Sequence, residues 1–266
     1  MNSTNLNAFH ITDKMKNLNE QRILITGASR GIGLAIAREM LHQGALLILH
    51  YHRTANTVES LQLEFGKNKV ELVKANLEDA QQTADMFVRA AACFGGLDSV
   101  VINAGIFEAC SIDSEWEKWF SNWQKTIRVN LDAAGILTRL SLELFQKQNQ
   151  GRLIYIGSRA AFRGETQEYL AYAASKGGLT SLAKSVARSF GQFNIKSFVI
   201  APGFTRTEMA MEAISNIGEE QVLKNLSLNE LTGPEDIAPL VAFMASGQMD
   251  HATGTTIDLN AGSHIR

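Results

Sequence analysis

The chain alternates short, largely apolar runs that read as strand candidates with longer segments of helical spacing. The apolar runs are Arg22–Thr26, Ala45–His50, Val70–Lys74, Ser99–Asn103, Leu153–Gly157, Ser197–Ala201 and Thr255–Leu259. Between them lie Ile32–Gln43, Thr57–Phe65, Ala80–Phe94, Trp116–Lys147, Tyr172–Gln192 and Pro234–Met244, which carry the helical pattern. A strand apolar along its whole length is covered on both faces, because a half-solvated one would alternate. Such strands separated by helices of crossover length predict parallel pairing through right-handed βαβ units. The expected fold is α/β: a single Rossmann-type domain, with a doubly wound parallel sheet of about seven strands and helices on both faces.

Punctuation agrees with this reading. Gly27 breaks the first run, Gly44 stops the first helix, and Pro202 falls where a strand should end. No repeat, low-complexity tract or Pro/Ser-rich linker divides the chain, and 266 residues is near the upper end for one domain. Residues 1–20 are rich in Asn and Thr, lack the apolar core of a signal peptide, and read as a flexible N-terminal extension. The domain is expected to span residues 21–266.

Charge changes the picture only by exclusion. Twenty-five basic and 27 acidic residues leave a formal charge of −2, which argues against a nucleic-acid partner held by bulk charge. No apolar run approaches the ~18 residues that span a bilayer, so no membrane partner is expected. Cys93 and Cys110 have no metal-ligand spacing and read as small hydrophobes in a reducing compartment. The expectation is a cytoplasmic protein without a metal site.

Candidate chemistry begins at Thr26-Gly27-Ala28-Ser29-Arg30-Gly31-Ile32-Gly33, between the first strand and the first helix. Glycines there let the backbone turn tightly and let a pyrophosphate approach without Cβ clashes, and the helix N-terminus offers free N–H groups. A glycine cluster alone is also an ordinary strand-to-helix turn; its place at the first βα turn favours a dinucleotide. The second strand ends in His50-Tyr51-His52-Arg53, with no acid for a ribose. Arg53, His52 and Arg30 suit a 2′-phosphate, since guanidinium matches phosphate geometry, although either arginine alone is as readily a solvated surface residue. NADP(H) is therefore the favoured cofactor, with NAD(H) as the alternative.

Tyr172 and Lys176 stand four residues apart, on one face if they share a helix. A nearby cation favours phenolate, and a tyrosine so tuned exchanges a proton with a carbonyl or alcohol oxygen. By itself such a pair is usually an ordinary helix surface. Ser158 follows a strand at the sheet edge where ligands bind, in position to hydrogen-bond a substrate oxygen or simply to start a loop.

Together these stretches resemble the short-chain dehydrogenase/reductase family from Gln21 to Gly262. The resemblance rests on Thr26–Gly33, Asn103-Ala104-Gly105, Asn130, Ser158, Tyr172-x-x-x-Lys176 and Pro202-Gly203, in the family's order. It implies Tyr172 as acid/base and Ser158 as the group steadying the substrate oxygen. It implies that Lys176 binds the ribose and lowers the phenol pKa, and that Asn130 holds a relay water. Asn103, Ala104 and Gly105 would line the cofactor cleft, Asn76 and Leu77 would contact adenine, and Pro202, Gly203 and Thr205 would flank the nicotinamide. Many members carry Asp where this chain has Asn76. Ser158 and Tyr172 are one residue further apart than is commonest, which places an extra residue in the loop 162–170 at the substrate mouth. Arg159, beside the serine, either meets an anionic substrate or points to solvent; solvent is the expectation.

Within the family the chain is most similar to 3-oxoacyl-(acyl carrier protein) reductases, so the implied substrate is a small carbonyl or alcohol, with an acyl thioester as one case; a member acting on another ketone, a sugar or a steroid-like alcohol is the alternative. Residues 204–231 carry Met209, Met211, Ile214, Ile217, Val222, Leu223 and Leu226 and read as a lid, or as ordinary helical packing. The resemblance also implies a homodimer or homotetramer. A cofactor-binding regulator without turnover is the alternative from another class. It would be free to lose Tyr172 or Lys176, and both are present.

Overall fold

The computed structural model describes residues 18–266; residues 1–17, most of the expected extension, lie outside the described residues. Seven strands form one parallel sheet in the order β3-β2-β1-β4-β5-β6-β7. They are β1 (Arg22–Ile25), β2 (Leu46–Tyr51), β3 (Val70–Lys74), β4 (Ser99–Ile102), β5 (Gly151–Ile156), β6 (Ile195–Pro202) and β7 (Thr256–Leu259). Each lies within a few residues of its expected position.

Burial explains why the strands are apolar on both sides. Ile23, Ile25, Leu47, Leu49, Ile154 and Ile156 face one core, which helices α1 (Gly31–His42), α2 (Asn56–Phe65) and α10 (Pro234–Ala245) cover through Ile36, Met40, Leu61, Ile237 and Val241. Their neighbours Leu24, Ile48, Leu153 and Tyr155 face the opposite core. There α3 (Ala80–Ala92), α5 (Ala133–Gln148) and α7 (Leu170–Phe190) contribute Met86, Phe87, Leu137, Phe145, Leu179 and Val186. The alternation is the two-residue period of a strand seen from both faces.

Two expectations need correction. The segment Trp116–Lys147 is not one helix. It comprises α4 (Trp116–Ile127), a π-helical turn Arg128–Asp132 and α5, and the widened turn buries Asn130. Helical periodicity survives such a turn, so pattern alone does not reveal it. The N-terminal extension also ends earlier than residue 20. Leu18 is fully buried in the α1 face of the core, and the Glu20 N–H donates to the Gly44 carbonyl at 3.1 Å.

The remaining helices are α6 (Ala160–Arg163), α8 (Glu208–Ile217) and α9 (Glu219–Leu223). Around α8 and α9, Ile214, Val222 and Leu231 form a small core of their own, separate from the two sheet faces. Among the described residues no helix is long and apolar enough to cross a membrane.

Candidate active site

Strand order reverses between β1 and β4, the switch point where an open α/β sheet leaves a crevice at its carboxyl edge. A cleft of about 710 Å³ opens there. Of the twenty site residues expected from sequence, all but Asn130 line it. Asn130 lies immediately behind the wall.

The glycine loop is built for close approach. Gly27 and Gly31 adopt φ of +66° and +54°, in the left-handed region that side chains rarely occupy. A Cβ on Gly33 would stand 2.2 Å from the Gly27 carbonyl oxygen and 2.6 Å from Asn103 Nδ2. Asn103 cross-links the loop to β4 by donating its amide to the carbonyls of Thr26 at 2.8 Å and Gly27 at 3.1 Å. The Thr26 hydroxyl accepts from the N–H groups of Asn103 and Ala104. With Ser29 and Ile32 on its wall and the start of α1 beyond, this cradle has the shape and the free N–H groups a pyrophosphate needs. The residues present therefore fit a dinucleotide.

His50 supports the same loop and was not singled out from sequence. It is buried at the end of β2, where Nδ1 accepts from the Gly27 N–H at 3.1 Å and Nε2 faces the Ala75 carbonyl at 3.2 Å. Burial pushes its pKa down to about 4, so the ring is neutral and its Nδ1 lone pair is available to the loop. Its signal in the sequence was a polar residue inside an apolar strand.

At the outer end, His52 and Arg53 are exposed and line the cleft. Arg30 also lines it, but reaches across the mouth to Glu208 at the start of α8, 3.1 Å away, with both side chains well exposed. Asn76 is occupied locally, its Oδ1 accepting from the Glu78 N–H at 3.1 Å, and Leu77 beside it is buried.

The polar residues converge at the inner end. Ser158 follows β5 and is held by the Ala160 N–H, which donates to its hydroxyl at 3.1 Å. Tyr172 and Lys176 lie in the first turns of α7. The Lys176 ammonium is buried and donates to the Ile156 carbonyl at 2.8 Å, 5.7 Å from the Tyr172 ring centre. Asn130 holds the loop opposite: its Oδ1 accepts from the Ile106 N–H at 2.8 Å, and its Nδ2 donates to the Ile106 carbonyl at 3.0 Å and to Ser175 Oγ at 3.2 Å. Ser175 in turn donates to the Tyr172 carbonyl at 2.7 Å. Gly105 admits this packing, since a Cβ there would meet Asn130 Oδ1 at 3.2 Å and Lys176 Nζ at 3.7 Å. Pro202, Gly203 and the buried Thr205 close the far wall; a Cβ on Gly203 would lie 2.9 Å from that of Asn260.

The expected lowering of the phenol pKa by Lys176 is not what this arrangement gives. Burial pushes Tyr172 up to about 12, opposed by hydrogen bonding to Ser158. Burial also pushes Lys176 down to about 8, because its ammonium faces a carbonyl and no carboxylate. At neutral pH the Tyr172 phenol therefore keeps its proton.

Arg159 does not point to solvent. It is 4% exposed, lies over the Phe204 ring at 4.9 Å, and lines the cleft beside Ser158. Sequence reasoning missed the partner because Phe204 comes from the far wall. It also missed Phe107, which meets Tyr172 edge-on at 4.7 Å and stacks on Tyr169 at 3.9 Å. Tyr169 lies in the loop where the extra residue was expected.

Comparison with known proteins agrees with this geometry. A family model described as Enoyl-(Acyl carrier protein) reductase matches residues 27–264. The chain is 32% identical over 249 residues to Nodulation protein G of Rhizobium sp. (strain N33), covering 93% of this chain and 98% of that protein. It is 32% identical over 242 residues to the 3-oxoacyl-[acyl-carrier-protein] reductase of Salmonella typhimurium, covering 91% and 96%. Among solved structures, a dehydrogenase/reductase from Sinorhizobium meliloti superposes with a TM-score of 0.84 at 28% identity, covering 94% and 97%. A putative gluconate dehydrogenase from Agrobacterium tumefaciens, at 24% identity, shares the fold with a TM-score of 0.85 over 93% and 97%. The chain belongs to the short-chain dehydrogenase/reductase family and is an oxidoreductase that interconverts a carbonyl and an alcohol with a nicotinamide cofactor.

Proposed function

We propose that the protein is an NADP(H)-dependent carbonyl reductase, with Tyr172 as its acid. The observation that carries this reading is the convergence of Ser158, Tyr172 and Lys176 at the inner end of a cleft whose outer end presents Arg53, His52 and Arg30. Gly27, Ser29, Gly31, Ile32 and Gly33 hold the pyrophosphate, Asn76 and Leu77 the adenine, and Asn103, Ala104, Gly105, Pro202, Gly203 and Thr205 the nicotinamide half. When bound, the reduced nicotinamide supplies the hydride that the carbonyl carbon takes up. Ser158 steadies the carbonyl oxygen by hydrogen bonding, and Tyr172 gives its phenol proton to that oxygen, which becomes the alcohol O–H. Lys176 holds the ribose and passes a proton from solvent back to the phenolate. Asn130 acts as a positioning residue: its side chain is committed to Ile106 and Ser175, which fixes the loop facing Lys176.

The names of the relatives point to a 3-oxoacyl thioester as the substrate to try first. Phe204, Met209 and Ala210 line the cleft, which supports the start of α8 as part of a lid. Trp116 and Phe120 on α4 are 64% and 39% exposed, an apolar strip that fits burial in a homodimer or homotetramer. The two thiols form no disulfide, in keeping with a cytoplasmic setting. Steady-state kinetics with NADPH and NADH on a panel of ketones, including a 3-oxoacyl thioester, test the reading. A higher kcat/KM with NADPH supports it; turnover with NADH alone overturns the cofactor assignment.

A further inference from the structure

We infer that Arg159 is a specificity residue that receives a carboxylate of the substrate, so that the preferred substrate is an oxo acid or its hydroxy acid. The inference rests on the reductase reading and narrows its substrate. Arg159 stands next to Ser158, and its main-chain N–H donates to the Pro202 carbonyl at 3.0 Å, which ties it between β5 and β6. Its side chain is inside the protein, over Phe204, yet Nη1 is buried with neither a protein partner nor solvent. A buried guanidinium N–H left unsatisfied is expensive, and native proteins rarely leave one without a function.

Arg159 also lacks an ion pair among the described residues. Arg159 and Glu165 both line the cleft, but the close contact of Glu165, at 3.4 Å, goes to Arg163 and leaves the Arg159 fork without a paired carboxylate. Burial and Arg163 push the Arg159 guanidinium down to about 10, so it keeps its proton at neutral pH. A carboxylate is the planar, singly charged group whose two oxygens match a guanidinium fork. Reduction of such a substrate leaves the carboxylate unchanged: hydride adds to the oxo carbon, the Tyr172 proton adds to its oxygen, and NADPH becomes NADP+.

The experiment compares 3-oxobutanoate with its methyl ester, and 2-oxobutanoate with its methyl ester, as substrates of the full chain with NADPH. A 3-oxoacyl thioester, uncharged near its reacting carbon, joins the ester arm. Wild type is expected to favour the acid, and the acid-over-ester ratio of kcat/KM to fall about 10- to 100-fold in Arg159→Leu, with part of it restored in Arg159→Lys. NADPH affinity, read by cofactor fluorescence, separates the two anions available. A fall in that affinity with the ratio unchanged would assign Arg159 to a cofactor phosphate and overturn the inference. A wild-type ratio near one, or equal losses on acid and ester, would overturn it as well. Should Arg159→Leu fail to fold, the wild-type ratio and Arg159→Lys still decide. If neither acids, esters nor the thioester turn over, the reductase reading fails. Calorimetry of 3-hydroxybutanoate against its amide on the NADP+ complex then tests the carboxylate site by itself: preference for the acid supports it, and equal affinity overturns it.

Discussion

His50 Nδ1 accepts a hydrogen bond from the Gly27 N–H at 3.1 Å, so the first glycine of the cofactor loop is held by an imidazole that must stay neutral. The ring titrates near 6.5 when unfolded and near 4 when folded. Between those values the unfolded chain binds the extra proton, so this contribution to stability is complete above pH 6.5 and is lost as pH falls toward 4. The loss amounts to about 3 kcal/mol. Urea unfolding at pH 7.5 and 4.5 should show it in wild type and should show much less of it in His50→Gln. The Arg-paired carboxylates Asp98 and Asp250, both held below their usual range, make their own losses only at lower pH. An identical pH dependence in the variant would refute the role given to His50.

Gly33→Ala places a methyl group 2.2 Å from the Gly27 carbonyl oxygen. Backbone must move, at a cost of about 1–3 kcal/mol, and the loop should lose its fit to the pyrophosphate. A lower Tm with NADPH affinity reduced at least tenfold is expected; wild-type affinity would contradict the cradle.

Arg53→Ala should raise the KM for NADPH by about tenfold and leave that for NADH within about twofold, as expected for removal of one guanidinium–phosphate contact. Arg30 is the less telling position because Glu208 already engages it. Parallel changes with both cofactors would remove Arg53 from the 2′-phosphate site.

Asn130→Ala leaves the Ile106 N–H and carbonyl without the partner they share. A loss of about 1–3 kcal/mol is expected for the stranded backbone groups, together with a drop in kcat larger than any change in KM. A stable variant with full kcat would show that the π-helical turn serves packing alone.

The sheet and the glycine loop were legible because both are local signals. Ile23, Leu24 and Ile25 are apolar in succession because each side of β1 is covered, and Gly27 and Gly33 sit where a turn and a close approach demand them. The residues that were misread depend on partners distant in sequence. Arg159 looked solvated because Phe204, which covers it, lies beyond the next strand. His50 read as part of an apolar run because its partners, Gly27 and Ala75, come from two other segments. Asn130 looked like a residue of one long helix because a π-helical turn preserves the amphipathic pattern on either side.

Whether Tyr172 gives the proton is decided by Tyr172→Phe. The substitution removes one oxygen, leaving the edge-on contact with Phe107 and the Lys176–Ile156 bond in place. NADPH binding by fluorescence and single-turnover reduction of the best ketone would be measured on the same preparation. Cofactor affinity within about twofold of wild type and a rate lower by about 10²- to 10⁴-fold are expected. A rate near that of wild type with affinity unchanged would contradict that role for Tyr172 and move the acid to another group.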